Sequence, residues 1–261
     1  MKTIRKIVAS VVLFYAPLQT MAWGTNGHRI SGQIAENHLS AKARAAIKAI
    51  LGNETIAMAS NWGDFIKSDP DYKSFDQWHY IDLEDIHSRE ALSTYLKNDT
   101  TTNLYSRINF LTSELKKKNT TKANKLMYLR MLIHLVEDLH QPLHTSGYES
   151  GGNGIKLKWF SKETNLHTIW DSELVNFQEL SYSEYVKAID FTTPAEVKKW
   201  QSTSVADWLY ESNVLAEKIT SEAKPGITLS YNYNFKYKYT LNQQLLKGGV
   251  RLAGLLNQIF G

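Results

Sequence analysis

Lys122-Ala-Asn-Lys-Leu-Met-Tyr-Leu-Arg-Met-Leu-Ile-His-Leu-Val-Glu-Asp-Leu-His-Gln141 reads as one helix, stopped by Pro142. Leu126, Leu129, Ile133, Val136 and related apolar residues cover so much of its circumference that it belongs at the centre of the fold. His134 and Asp138 stand at i and i+4, so both project from one face of this helix, about one turn apart. A carboxylate and an imidazole on a buried helix must be paired or bind metal.

Helical periodicity continues outward from this segment in both directions. Before it, helices are predicted around Ile30, Ile34 and Ala35, over Ala41 to Leu51, over Ile56 to Lys67, and from Leu104 to the Lys116-Lys117-Lys118 run. After it, Gly147 to Gly154 holds four glycines and reads as a loop, and Ile155 to Trp159 alternates like a short strand. Helices follow over His167 to Val175, Tyr182 to Ile189, Ala195 to Thr220 and Leu241 to Phe260. Pro225 to Tyr239 is expected to be a surface connection or a hairpin, because Tyr231, Tyr233, Phe235, Tyr237 and Tyr239 alternate like a strand face. The expected architecture is mainly α, a single domain of stacked helices with few short strands.

Composition narrows the chemistry. The 261 residues are 43% hydrophobic and 21% charged, which excludes a disordered or collagen-like chain. The absence of cysteine excludes thiolate chemistry and leaves His, Asp, Glu and backbone groups for any metal. A net charge of +4 is too small to argue for nucleic acid on its own. Residues 1–22 combine basic Lys2, Arg5 and Lys6 with an apolar run from Ile7 to Leu18 and end Thr20-Met21-Ala22. That is the layout of a signal peptide cleaved after Ala22, and it implies a periplasmic or secreted protein. Processing would remove three of the 30 basic residues, against 26 acidic ones, leaving a mature domain over 23–261 with charge +1.

Eight histidines are present; His144 follows just past Pro142, and His167 with Asp171 repeats the i, i+4 pairing. The segment from His134 to His144 resembles the signature of the zinc-dependent S1/P1 nuclease family, which is related to bacterial zinc phospholipase C. The resemblance extends to Trp23-Gly-x-x-Gly-His28, Asn61-Trp-Gly-Asp64, Gln77-Trp-His79-Tyr-Ile-Asp82, Gly151-Gly-Asn-Gly154 and His167-Thr-Ile-Trp-Asp171, in the family's order. It implies a phospholipase C/P1 nuclease-like fold with three Zn²⁺ ions per chain. One ion would take Asp64, His79, His134 and Asp138, and a second His144, His167 and Asp171. The third would take His28, Asp138 as a bridge, and Trp23 through its free α-amine and carbonyl.

The same resemblance implies that Asp82 orients an attacking water held between paired ions and that Lys67 stabilises the phosphate. It further implies that Asn153 hydrogen-bonds the nucleobase and that Tyr80 lines the base pocket. The implied substrates are single-stranded DNA and RNA, giving 5′-phosphorylated products, with 3′-mononucleotides as further substrates. Lys67 reads equally as a solvated helix end, and Tyr80 equally as core. His38, His87 and His140 lie outside the motifs and carry no assigned chemistry. The chain departs from fungal relatives in having Asp85 where some carry a basic residue, and from fungal and plant members in lacking disulfides. A phospholipase C is the alternative enzyme, disfavoured because that branch typically ends its ligand set on Glu where this chain has Asp171. A non-enzymatic zinc-binding protein is the alternative from another class, and Asp82 beside His79 argues against it.

Overall fold

A computed structural model describes residues 23–261. The proposed signal peptide lies outside the described residues. The helix over Lys122–Leu139 starts on Thr121, whose hydroxyl accepts from the Asn124 amide, and all residues from Met131 to Leu139 are buried. As its apolar circumference requires, it is wrapped on all sides.

Two apolar cores form around it. In the first, Leu129, Leu132, Ile133 and Val136 pack with Leu104, Ile108 and Leu111 of the helix Leu104–Lys116 and with Leu252 and Leu256 of the last helix. In the second, Ile30 and Ile34 of the helix Thr25–Asn37 pack with Leu166, Ile169, Trp170, Leu241 and Leu245. A small sheet closes the second core. Strand β1 (Lys156–Trp159) lies between β2 (Lys162–Asn165), antiparallel, and β3 (Thr228–Leu229), parallel. Among the described residues no helix is long and apolar enough to cross a membrane.

The mainly α architecture stands, with several local corrections. The segment Tyr231–Tyr239 is no hairpin, for it opens the helix Tyr231–Phe260. Tyr237 is buried and Tyr233 partly so, whereas Tyr231, Phe235 and Tyr239 are exposed. Two interleaved i, i+4 rows on opposite faces of a helix therefore imitate strand alternation. The stretch Ala195 to Thr220 is two helices, Pro194–Gln201 and Val205–Glu222, because Ser204 caps the second in a reciprocal pair with Asp207. Ile56 to Lys67 is broken into Ile56–Ala59, Trp62–Phe65 and the 3₁₀ turn Ile66–Ser68. His167 to Val175 contains a π-helical turn, Ile169–Glu173. The helix Arg89–Asn98, the 3₁₀ segment Pro70–His79 and strand β2 have no counterpart in the sequence reading.

Candidate metal centre

The eight histidine and aspartate side chains singled out as metal ligands face one region. His28 comes from the helix Thr25–Asn37, Asp64 from the short helix Trp62–Phe65, and His79 from the end of the 3₁₀ segment. His134 and Asp138 come from the central helix, His144 from the 3₁₀ turn Pro142–Thr145, and His167 and Asp171 from the turns after β2. All except Asp64 are buried, and Asp64 is only slightly exposed. Three groups of donor atoms result: His28, Asp64 and His134; His79, His134 and Asp138; His144, His167 and Asp171.

The first two groups merge around Asp138. Its Oδ2 lies 2.9 Å from His79 Nδ1 and 3.2 Å from His134 Nε2, and its Oδ1 lies 3.5 Å from His28 Nε2 and 3.8 Å from His144 Nδ1. Asp64 stands across from them, 3.7 Å from His134 Nε2 and 3.9 Å from His28 Nε2. The His28 and His134 rings stack at 4.1 Å. In the third group Asp171 lies 3.1 Å from His167 Nε2 and 3.7 Å from His144 Nε2. The π turn Ile169–Glu173 carries Asp171 directly after the short helix that carries His167, a local widening that often marks functional sites.

The backbone aims these rings. His134 Nδ1 donates to the Ser60 carbonyl (2.6 Å), His144 Nδ1 to the His79 carbonyl (2.8 Å) and His167 Nδ1 to the Gly151 carbonyl (2.7 Å). Each bond selects the tautomer that leaves a lone pair at Nε2. The break after Ala59 is what frees the Ser60 carbonyl for His134. Gly63 lets that segment approach, since a Cβ there would lie 2.6 Å from His134 Cδ2. Gln141 donates to Asp171 and also receives the Leu143 amide at 2.7 Å, tying the Pro142 corner to the third group.

Charge is balanced inside the cluster. Burial lowers His28 to about 3 and His79 to about 4, so both rings are neutral at neutral pH. Burial opposes ionisation of Asp64, yet His134, Lys67 and His28 hold it down to about 2. Burial likewise opposes ionisation of Asp138, but His134 and His144 keep it well below the usual carboxylate range.

A cleft of about 560 Å³ opens over the cluster, and His79, His144 and His167 form part of its wall. Asp82, Lys67, Tyr80 and Asn153 line the same cleft, so the structure brings all four sequence candidates to the site. Ile81 N donates to the His144 carbonyl and Gly147 N to the Leu83 carbonyl, which stitches the irregular segment bearing Asp82 beside the glycine loop. Burial, then the Glu84 carboxylate, raises Asp82. Tyr80 is exposed, which excludes the core reading. Asn153 donates to the Ser150 carbonyl at 2.9 Å. His38 pairs with Asp190, His140 is buried against Arg251, and His87 is exposed, so none of the three joins the cluster.

Several residues at the site escape the motif reading. Lys73, Asp76 and Glu84 also line the cleft, and Glu137 and Ser60 stand behind His28 and His134. For Glu137 the signal was present: a carboxylate on a helix otherwise too apolar to be exposed.

A profile of the family described as S1/P1 Nuclease matches residues 23–261. The chain belongs to this family. It is 29% identical to Endonuclease 3 of Arabidopsis thaliana over 97% of this chain and 94% of that one. It is 26% identical to Nuclease P1 of Penicillium citrinum over 92% of this chain and 98% of that one. The fold resembles the alpha toxin of Clostridium absonum, with a TM-score of 0.50 at 17% identity. The match covers 92% of this chain and 63% of the toxin. Family membership supports a nuclease, a hydrolase of phosphodiester bonds.

The donor set fits the zinc chemistry of such a family. His28 Nε2, Asp64 Oδ2, His79 Nε2, Asp138 Oδ1 and His144 Nε2 are buried with no hydrogen-bond partner among the described residues. So many orphaned acceptor-type atoms in one place are costly unless a cation joins them. Imidazole and carboxylate are the ligand types zinc takes when no thiolate is offered.

Proposed function

We propose that the mature chain is an exported, trinuclear-zinc phosphodiesterase that cleaves single-stranded DNA and RNA to 5′-phosphorylated products and also hydrolyses 3′-mononucleotides. Asp64, His79, His134 and Asp138 would hold one ion, His144, His167 and Asp171 a second, and His28, Asp138 and the Trp23 terminus the third. The observation that carries this reading is the cluster of orphaned imidazole and carboxylate atoms beneath a cleft that also holds Asp82, Lys67, Tyr80 and Asn153.

Bound zinc would supply Lewis-acid stabilisation of phosphoryl charge and lower the pKa of water. The protein's own contribution follows from the cleft. Asp82 accepts a proton from the attacking water and orients it, and Lys67 meets negative charge on the phosphate. Tyr80 offers an exposed ring face on which an unpaired base stacks, and stacking accepts any base. Asn153 supplies amide contacts to the base edge.

The test uses protein beginning at Trp23, incubated with single-stranded DNA, RNA, a 3′-mononucleotide and phosphatidylcholine, with and without chelator. Chelator-sensitive turnover of the nucleic acids and the mononucleotide is expected. Lipid turnover without nucleotide turnover overturns the nuclease reading in favour of a phospholipase C, and metal binding without any turnover reduces the protein to a zinc binder.

A further inference from the structure

The buried part of the central helix carries one ionisable side chain that the reading above does not use. Glu137 is fully buried, lies next to Asp138 in sequence, and belongs to none of the three donor groups. Its Oε2 lies 2.6 Å from His28 Nδ1, and its Oε1 lies 3.0 Å from Ser60 Oγ. The helix bearing His28 comes close enough for this only at a glycine: a Cβ on Gly32 would collide with Ser60 Oγ and sit 3.2 Å from Glu137 Oε1.

His28 is thereby held differently from three of its neighbours. His134, His144 and His167 direct Nδ1 to neutral backbone carbonyls, whereas His28 directs Nδ1 to a carboxylate outside the donor groups; His79 directs its own to Asp138, a member of them. An imidazole that donates from Nδ1 must present its lone pair at Nε2. In His28 that atom is buried without a partner, 3.5 Å from Asp138 and 3.9 Å from Asp64.

We propose that Glu137 is a positioning residue, whose carboxylate fixes His28 as the Nδ1–H tautomer and strengthens Nε2 as a donor to the divalent cation it shares with Asp138. This rests on the metal-centre reading above. A carboxylate bonded to a metal-held imidazole orients the ring and raises its basicity, and losing such a partner typically weakens metal binding about 10–100-fold. The arrangement also has a cost. Burying this side chain away from water is unfavourable unless a cation is held close by, so Glu137 supports the loaded fold more than the metal-free one.

That asymmetry gives the test. Glu137→Gln keeps the shape and an acceptor oxygen for Nδ1–H while removing the charge. Zinc affinity, read by competition with a chromophoric chelator, is expected to fall about 10–100-fold for one ion per chain. The melting temperature of the metal-free variant is expected to equal or exceed that of the metal-free parent. Nitrogen NMR of the metal-free parent is expected to show His28 as a single Nδ1–H tautomer, a measurement that needs no variant. Unchanged affinity for every ion, equal destabilisation of the metal-free and loaded forms, or a mixed His28 tautomer in the parent would each overturn the proposal. A parent protein that takes up no zinc, with a melting temperature indifferent to chelator, fails the underlying metal-centre reading instead.

Discussion

Lys67 Nζ lies 2.6 Å from Asp64 Oδ1, one turn earlier in the chain, so the cation proposed to meet phosphate is seated on a carboxylate of the candidate metal cluster. Both side chains are largely shielded from water, and Lys67 also lines the cleft. An ammonium in this place would compete with a metal ion for Asp64 and, with that carboxylate taken by a metal, would be free to meet an anion. Lys67→Met should bind zinc at least as tightly as the parent, because a competing positive charge is gone. Its turnover should fall by about 10²-fold, the usual loss when one group stabilising developing anionic charge is removed. Steady-state kinetics on single-stranded DNA with a parallel zinc titration checks both halves, and unchanged turnover would return Lys67 to the role of a solvated helix end.

Asp82 and Glu84 face the same cleft, and the negative charge of Glu84, added to partial burial, raises the Asp82 carboxyl. If Asp82 accepts a proton from water, activity is lost as pH falls through its raised pKa. Removing the Glu84 charge lowers that pKa, so the acid limb of kcat/KM for Glu84→Gln should move to lower pH. Asp82→Asn should keep its zinc and lose about 10²–10⁴ in rate, the range for a general base. A Glu84→Gln profile superimposable on the parent would separate Asp82 from the acid limb.

Away from the cleft, Asp190 accepts from Asn37 Nδ2 at 2.9 Å and from His38 Nε2 at 2.8 Å, joining the end of the helix Thr25–Asn37 to the end of the helix Tyr182–Ile189. Burial would raise the Asp190 carboxyl, but these bonds outweigh it and hold it below its ordinary value. A carboxyl depressed in the folded state stabilises above its unfolded pKa of about 3.9, and that stability is lost as pH falls through the folded value. Asp190→Asn should therefore lower the melting temperature at pH 7 by about 2–4 °C, equivalent to about 1 kcal/mol after allowance for solvent screening. The gap should narrow as pH falls below about 4 and close once pH passes below the depressed folded value, where the parent has lost the same charge. A gap that persists there would assign the effect to packing.

Much of this site could be read from the sequence because its ligands sit at helical intervals on segments whose burial shows in the apolar pattern. His134 with Asp138 and His167 with Asp171 are such pairs, and their i, i+4 spacing survives the unexpected π turn at Ile169–Glu173. Local periodicity could not reveal what depends on contacts between distant segments. Strand β2, Lys-Glu-Thr-Asn, is polar and earns its conformation only by pairing with β1. The Tyr231–Tyr239 run carries strand-favouring residues, and only the burial of Tyr233 and Tyr237 against Trp170 settles it as helix. Glu137 was visible as a charge on an apolar helix, but its partner His28 lies 109 residues earlier.

The start proposed for the mature chain gives the last prediction. Trp23 is fully buried, its indole donates to the Glu137 carbonyl at 2.9 Å, and Gly24 N donates to the Asp171 carbonyl at 2.7 Å. Residues 23 and 24 are thus tied to two of the elements that carry the donor groups. These bonds use the indole and the next amide, leaving the Trp23 amine for another role. If that amine is a zinc ligand, a single glycine placed before Trp23 converts it to an amide that cannot coordinate, while the indole and Gly24 bonds persist. The extended protein should fold with an unchanged circular dichroism spectrum, hold one zinc fewer per chain by elemental analysis, and lose most of its activity. Equal zinc content in the two proteins would remove the terminal amine from the metal centre and, with it, any need for processing before Trp23 to complete the enzyme.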